Sequence, residues 1–356
     1  MSDRINQFLK DLCAGSSSSP TIQMNEREWK TLAQVCRTHG IPGWILSRCG
    51  ESMPENVRDE VAERRDKARI RGLWLERGAR SAFLTLQKGG ITDVAPLKGS
   101  YLLPRIYKDY GMRTTNDVDL LVKKSTFELC HQCMLDDGYV FVPKPVGRPI
   151  SQHVHYERSY RAPEGHVVDL HWGMAQETRV RQFYDEMWAN SSVISEGPLT
   201  GFSEFRPEEV FLILCIHIGQ DNFQGPFRQW IDLMALLAFR ELDFALVVNR
   251  ARAAGVEILV WCVLERLKVL NCLSIDVNYG DLIGPRGTHR KYLQRLMKRE
   301  GLTPLPFQMS NRLAQMIIAL PAMDGWPQRR AVVWEQVSLR IRDVISRVNS
   351  SSVQVY

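Results

Sequence analysis

Residues 96–122 read PLKGSYLLPRIYKDYGMRTTNDVDLLV. A Lys-Gly-Ser turn follows a short apolar run, and two aspartates, Asp117 and Asp119, flank a single valine near the end. Successive side chains on a strand point to opposite faces. Asp117 and Asp119 therefore share one face, and Val118 and Leu120 the other. Like charges held side by side repel unless something positive lies between them, and a divalent cation is the simplest candidate. A solvated strand edge is the bland alternative for the pair.

Outward from this stretch, Ile91–Leu97 is a strand candidate before the turn. Leu102, Leu103, Ile106 and Tyr107 carry helical spacing after it, with Pro104 near the helix start where proline is tolerated. Asp109–Asn116 is a loop containing Gly111 and Arg113. Phe127–Asp136 reads as a helix with Gly138 just past its end. Tyr139–Val142, His153–Arg161 and His166–Trp172 read as strands, the last two joined by the turn residues Pro163, Glu164 and Gly165. Lys144–Pro149 is a turn or mobile loop. A small mixed sheet with helices packed on it follows from this order.

Upstream, residues 4–13 are an amphipathic helix. Gly15–Pro20 is a flexible joint. Glu26–Cys36 and Pro42–Cys49 are two helices, and Pro54–Gln87 is a long one ended by Gly89-Gly90. Its basic residues alternate with Glu60, Glu63 and Asp66, which reads as a solvated, ion-paired face. Downstream of Glu177 the pattern is helical, with helices expected at Val210–Ile218, Arg228–Phe239, Phe244–Ala254, Ile258–Leu270, Thr288–Arg299, Asn311–Leu320 and Arg330–Arg347. The residues from Asn349 read as a disordered tail. The expected fold is α/β of the α+β kind. A helical region (1–90) precedes a small mixed-sheet core (91–176), a helical region (177–348) follows, and a tail (349–356) ends the chain.

Composition bounds the function. Hydrophobic content of 44% and charged content of 24% are those of an ordinary soluble globular protein. The net charge of +6 suits an anionic substrate but is too small to argue for nucleic acid by itself. No apolar run reaches the roughly 20 residues of a membrane helix, and the N-terminus lacks a signal-peptide core. Eight cysteines without an export signal point to reduced thiols in the cytoplasm. Cys130 and Cys133 invite a zinc reading, but no second ligand pair follows and the segment fits an amphipathic helix.

Asp169 completes the acidic set. It lies in HVVDLHW (166–172), sharing a face with Val167 and His171. Three carboxylates on two neighbouring strands suit two Mg²⁺ ions, with Mn²⁺ as an alternative, and such a pair supports in-line displacement at phosphorus. A bound triphosphate would complete the coordination. Gly99 and Ser100 supply what a phosphate needs: close backbone approach and a hydroxyl donor.

The elements LKGSYLLPRIY, RTTNDVDLLV and VVDLHW, in that order, resemble the nucleotidyltransferase superfamily that includes DNA polymerase β. They are most similar to a bacterial branch of uncharacterised nucleotidyltransferases. The close resemblance covers roughly residues 80–175, and a looser one continues around His217 and Asp232. The resemblance implies that Asp117 and Asp119 bind both metals and that Asp169 binds the acceptor-side metal and helps draw the acceptor proton. It implies that Gly99 and Ser100 hold the β- and γ-phosphates, with Lys98 and Arg113 as phosphate cations. The interval of 18 residues from Gly99 to Asp117 is longer than in compact members, and Tyr107–Asn116 fills it as a loop beside the site.

Substrate-side candidates are His171, His217, Arg228 and Asp232. Packing is the competing reading for both histidines, and helix capping or packing for Arg228 and Asp232. Arg113 has a competing reading too, as the partner of a core carboxylate such as Asp117. The expected reaction is transfer of a nucleoside monophosphate from an NTP, most simply ATP, to a hydroxyl or phosphate with release of pyrophosphate. The acceptor would be a small molecule, a peptide or a protein; RNA ranks lower because no basic patch with aromatic platforms is visible. Two rivals remain: a non-catalytic nucleotide-binding or scaffolding module, and a kinase-like phosphoryl transferase.

Overall fold

A computed structural model describes residues 3–13, 24–143, 156–175, 183–270, 284–299 and 315–325, with positions 180, 301, 329 and 330 besides. Helix α1 is Asp3–Cys13. Helix α2, Glu26–His39, starts with a reciprocal cap: Asn25 Oδ1 accepts from Glu28 N at 3.0 Å, and Glu28 Oε2 accepts from Asn25 N at 2.9 Å. It stops at Gly40, whose φ of 66° lies in the left-handed region that favours glycine. Helix α3, Pro42–Cys49, carries its proline in the first turn, where no amide is needed.

Helix α4, Glu55–Lys88, has 34 residues and so spans roughly 50 Å. It lies against the sheet and across the next helices, burying Val57, Val61, Leu75, Ala79, Ala82, Phe83 and Leu86 along one side. Gly78 on this face has no room for a Cβ, which would come within 2.5 Å of His166 Nε2. The strand β1 is Val94–Pro96, shorter than the expected Ile91–Leu97. A one-turn helix α5, Lys98–Leu102, and a π-turn, Leu103–Tyr107, occupy the segment with helical spacing. Strand β2 is Val118–Val122, so Asp117 stands just before it rather than in it. Helix α6 is Phe127–Asp136, and strands β3, β4 and β5 are Val140–Val142, Glu157–Arg161 and Val167–His171.

The five strands form one sheet in the order β1-β2-β5-β4-β3. The β2–β5 pair is parallel and the others are antiparallel. Beyond it come α7 (Tyr184–Ala189) and a two-strand ribbon, β6 (Ser192–Val193) with β7 (Ser203–Glu204). The ribbon has no counterpart in the expected pattern, because strands of two residues are too short to show alternation.

Four helices follow: α8 (Pro207–Gln220), α9 (Arg228–Phe239), α10 (Phe244–Ala254) and α11 (Glu257–Val269), and then α12 (Gly287–Met297). Helix α8 is apolar nearly all round, and α9, α10 and α11 surround it. Gln315–Ala319 is a π-turn inside the stretch expected as a helix over Asn311–Leu320. Buried apolar side chains from Ile5 to Ala322 form one continuous core. Among the described residues no helix is long and apolar enough to cross a membrane. The expected joint at 15–20, loop at 144–149, helix at 330–347 and tail from 349 lie outside the described residues, apart from Arg330.

Candidate active site

The turn after β1 grips β2 through its backbone. Leu97 N donates to Asp119 O at 3.0 Å, and Asp119 N donates to Ser100 Oγ at 3.1 Å. Both main-chain groups of Asp119 are thus held by residues 97–100, and the Ser100 hydroxyl keeps its proton for another acceptor. Lys98 has φ 45°, a left-handed conformation that costs a non-glycine residue about 1 kcal/mol or more. Gly99 must be glycine for space: a Cβ there would meet Thr115 Oγ1 at 2.6 Å and Arg113 Nη1 at 3.2 Å.

Register sets the chemistry on this sheet face. Asp119 faces Asp169 across the parallel β2–β5 pair, and Ser159 on β4 faces Asp169 in turn. The next row reads Leu121, His171, Glu157. Asp119 Oδ1 receives Lys98 Nζ at 2.8 Å and His171 Nε2 at 2.9 Å. His171 Nδ1 stands 2.9 Å from Glu157 Oε2, at ion-pair distance though off the hydrogen-bond line. Burial disfavours the imidazolium, but Glu157 and Asp119 outweigh it and lift His171 to about 9. At neutral pH both ring nitrogens therefore carry protons.

The acids split accordingly. Burial would raise Asp119, yet Lys98 and His171 hold it well below the usual carboxylate range. Burial, Asp119 and Asp169 push Asp117 up to about 6 against the pull of Lys98 and His171. Asp169 is raised by burial and then by Asp119, with His171 and a hydrogen bond to Ser159 opposing. Asp169 Oδ1 is buried with no hydrogen-bond partner among the described residues.

Four carboxylates (Asp117, Asp119, Asp169 and Glu157) thus surround two cations, Lys98 and His171. Burial first, and then the surplus of negative charge, explain why Asp117 and Asp169 resist ionisation. Among the described residues no three His, Cys, Asp or Glu side chains converge closely enough to hold an ion. Asp119 is turned toward Lys98 and His171 instead. The donor chemistry nevertheless suits a hard divalent cation. It consists of carboxylate oxygens only, one of them orphaned, with negative charge left over. Asp117, Asp119 and Asp169 are the residues that would supply it. Cys130 and Cys133 sit away from this set, on α6.

The helical region closes the other side. His217 of α8 is lowered to about 4, by burial and by the charge of Lys98, and is neutral at pH 7. Gln229 Nε2 lies 3.0 Å from His217 Nε2 and donates to Asp221 Oδ2 at 2.5 Å. Arg113 does not stand open to a phosphate. Its Nε donates to Asp232 Oδ1 and its Nη2 pairs with Asp232 Oδ2, both at 3.0 Å, while Nη1 donates to Thr114 O at 3.0 Å. Arg113 is only 5% exposed. Tyr107 Oη donates to the same Asp232 carboxylate at 2.9 Å. The reading of Arg113 as partner to a core carboxylate fits, with Asp232 as the carboxylate; Asp232 too is occupied structurally. Arg228, one turn earlier on α9, is half-buried near Asp117 and Asp221.

Sequence reasoning did not single out Glu157. Its signal was the β4–β5 hairpin: once the register is known, Glu157 is the residue opposite His171. Residues 25–270 of the chain match the model of a family described as "Uncharacterised nucleotidyltransferase". No curated protein matches the chain.

Proposed function

The chain belongs to that nucleotidyltransferase family, and from this premise we propose that it moves a nucleoside monophosphate from an NTP, most simply ATP, to a hydroxyl or phosphate acceptor. The acceptor oxygen forms a bond to the α-phosphorus, the bond from that phosphorus to the bridging oxygen breaks, and pyrophosphate leaves. The acceptor proton passes to Asp169 or to a water beside it. Asp169 suits this role because its carboxyl is raised and one of its oxygens has no partner among the described residues.

Asp117, Asp119 and Asp169 would hold two Mg²⁺ ions, or Mn²⁺. When bound, such ions neutralise phosphate charge and lower the pKa of the attacking hydroxyl. Lys98 brings a half-buried ammonium to the same corner, and Ser100 brings a hydroxyl whose proton is uncommitted. His171, clamped between Asp119 and Glu157, keeps the Asp119 carboxylate in one orientation. The observation that carries the reading is the in-register facing of Asp119 and Asp169 on adjacent parallel strands, with Asp117 at the head of β2. The acceptor is a small molecule, peptide or protein on this proposal. The compartment is the cytoplasm, in keeping with described cysteines that are all free thiols.

The test is the double variant Asp117→Asn with Asp119→Asn. Pyrophosphate release from ATP should vanish while circular dichroism stays that of the wild type. Unchanged turnover in the double variant would refute the assignment. ATP labelled at the α- or γ-phosphate separates transfer of AMP from a kinase-like transfer, and binding of ATP without release on any acceptor would favour a non-catalytic module.

A further inference from the structure

The elements that surround the aspartates leave one arginine uncommitted. Among the described residues the other cations near the cluster all have partners. Lys98 and His171 are bonded to Asp119. Arg113 is tied through three nitrogens to Asp232 and Thr114. Arg71 donates to the carbonyls of Thr115 and Asn116 at 3.1 and 2.8 Å. Arg228 alone of this group has neither a hydrogen bond nor a carboxylate at ion-pair distance among the described residues. It is nonetheless half-buried, and burial and then the Arg113 charge work against its ionised form, with the more distant charges of Asp232, Asp117 and Asp221 only partly opposing. A guanidinium has five donors in a planar fork. A fork held half out of water with no bonded partner among the described residues is well placed to receive an anion.

The surroundings hold Arg228 in place with some care. Arg228 and Asp232 are four residues apart on α9 and so share one helix face. The buried Arg113–Asp232 pair, reinforced by Tyr107, therefore fixes the rotation of α9 and with it the direction in which Arg228 points. The helix start is tied down as well. Phe227 N donates to His39 Nδ1 at 3.0 Å, and Gln229 bonds Asp221. The Arg228 guanidinium runs across Gly40, where its Nη1 would lie 3.3 Å from a Cβ. The Gly40 carbonyl accepts from Thr114 N at 2.9 Å, so this corner is continuous with the segment leading to Asp117.

We propose that Arg228 is the residue that takes hold of the triphosphate of the bound nucleotide, and that the Arg113–Asp232–Tyr107 cluster is the brace that aims it. This rests on the nucleotidyl-transfer reading above. Arg228 meets the phosphate oxygens bidentately from the α9 side, opposite the Lys98 turn, so that the two cations bracket the anion over the aspartates. Arg113 contributes by position only.

Titration of full-length protein with Mg²⁺ and the non-hydrolysable analogue α,β-methylene-ATP, followed by calorimetry, tests this. Arg228→Ala should weaken analogue binding about 10- to 100-fold, the range of a lost charge-assisted hydrogen-bond pair. AMP, which lacks the outer phosphates, should lose far less. Arg228→Lys should recover part of the loss, because it keeps the charge without the fork. Equal loss for AMP and the analogue would mean that Arg228 only supports the fold, and would overturn the proposal, as would unchanged analogue affinity in Arg228→Ala. Either result with a wild type that still releases pyrophosphate leaves nucleotidyl transfer standing. A wild type that neither binds the analogue nor releases pyrophosphate overturns both.

Discussion

Lys98→Met removes the ammonium that lies 2.8 Å from Asp119 Oδ1, between side chains that are 18% and 6% exposed. At that separation, with an effective dielectric near 20, the gross attraction is about 6 kcal/mol. Part of it offsets the cost of burying the lysine, so deleting one partner of such a pair leaves a net loss of about 3–5 kcal/mol. The loss should be large here because Asp119 would face Asp117 and Asp169 with only His171 to neutralise it. The variant should therefore unfold at distinctly lower urea than the wild type in EDTA. A divalent ion offers the missing charge, so added Mn²⁺ should restore more stability to the variant than it gives the wild type. At an ion concentration of 100 times its dissociation constant, the linkage contributes about 2.7 kcal/mol. Equilibrium urea melts with and without Mn²⁺ read both effects. A variant as stable as the wild type in EDTA, or one with no larger response to Mn²⁺, would refute the view that Lys98 neutralises the carboxylate cluster.

Two further outcomes are expected. Gly99→Ala places a methyl 2.6 Å from Thr115 Oγ1 and 3.2 Å from Arg113 Nη1, which should cost about 1–3 kcal/mol as an overpacked site does. It should also reduce pyrophosphate release more than a matched surface variant, by shifting the Lys98 turn; a wild-type melt and rate would count against the tight packing described. His39 is lowered to about 4, by burial and then by Arg228, and its bare Nδ1 accepts the Phe227 amide proton. Because the folded value lies below the unfolded one, its contribution to stability is full above about pH 6.5. It is lost as the pH falls through about 4, amounting to about 3 kcal/mol over that window. His39→Asn keeps an acceptor but cannot titrate, so its urea melts between pH 6.5 and 4 should show a shallower acid loss, by close to one proton. An undiminished slope would show that another group is responsible.

Local elements were legible in the chain because they follow from short-range periodicity and capping. Pro42 and Pro54 mark the starts of α3 and α4. The alternation around Val118–Val122 and Val167–His171 named strands β2 and β5, and with them the positions of Asp119 and Asp169. The family, too, was readable from three ordered motifs.

Partner choice was not legible, because it depends on register and on how helices pack over long separations. Which residue opposes His171 is set by the β4–β5 offset, and only that offset makes Glu157 part of the cluster. Which carboxylate Arg113 meets is decided by where α9 lands, 119 residues further along the chain. From sequence Arg113 is the candidate phosphate cation and Arg228 only a substrate-side candidate. In the folded protein one is neutralised inside a buried pair and the other is left without a bonded partner among the described residues, and that difference exists only once α9 is docked against Tyr107 and Arg113.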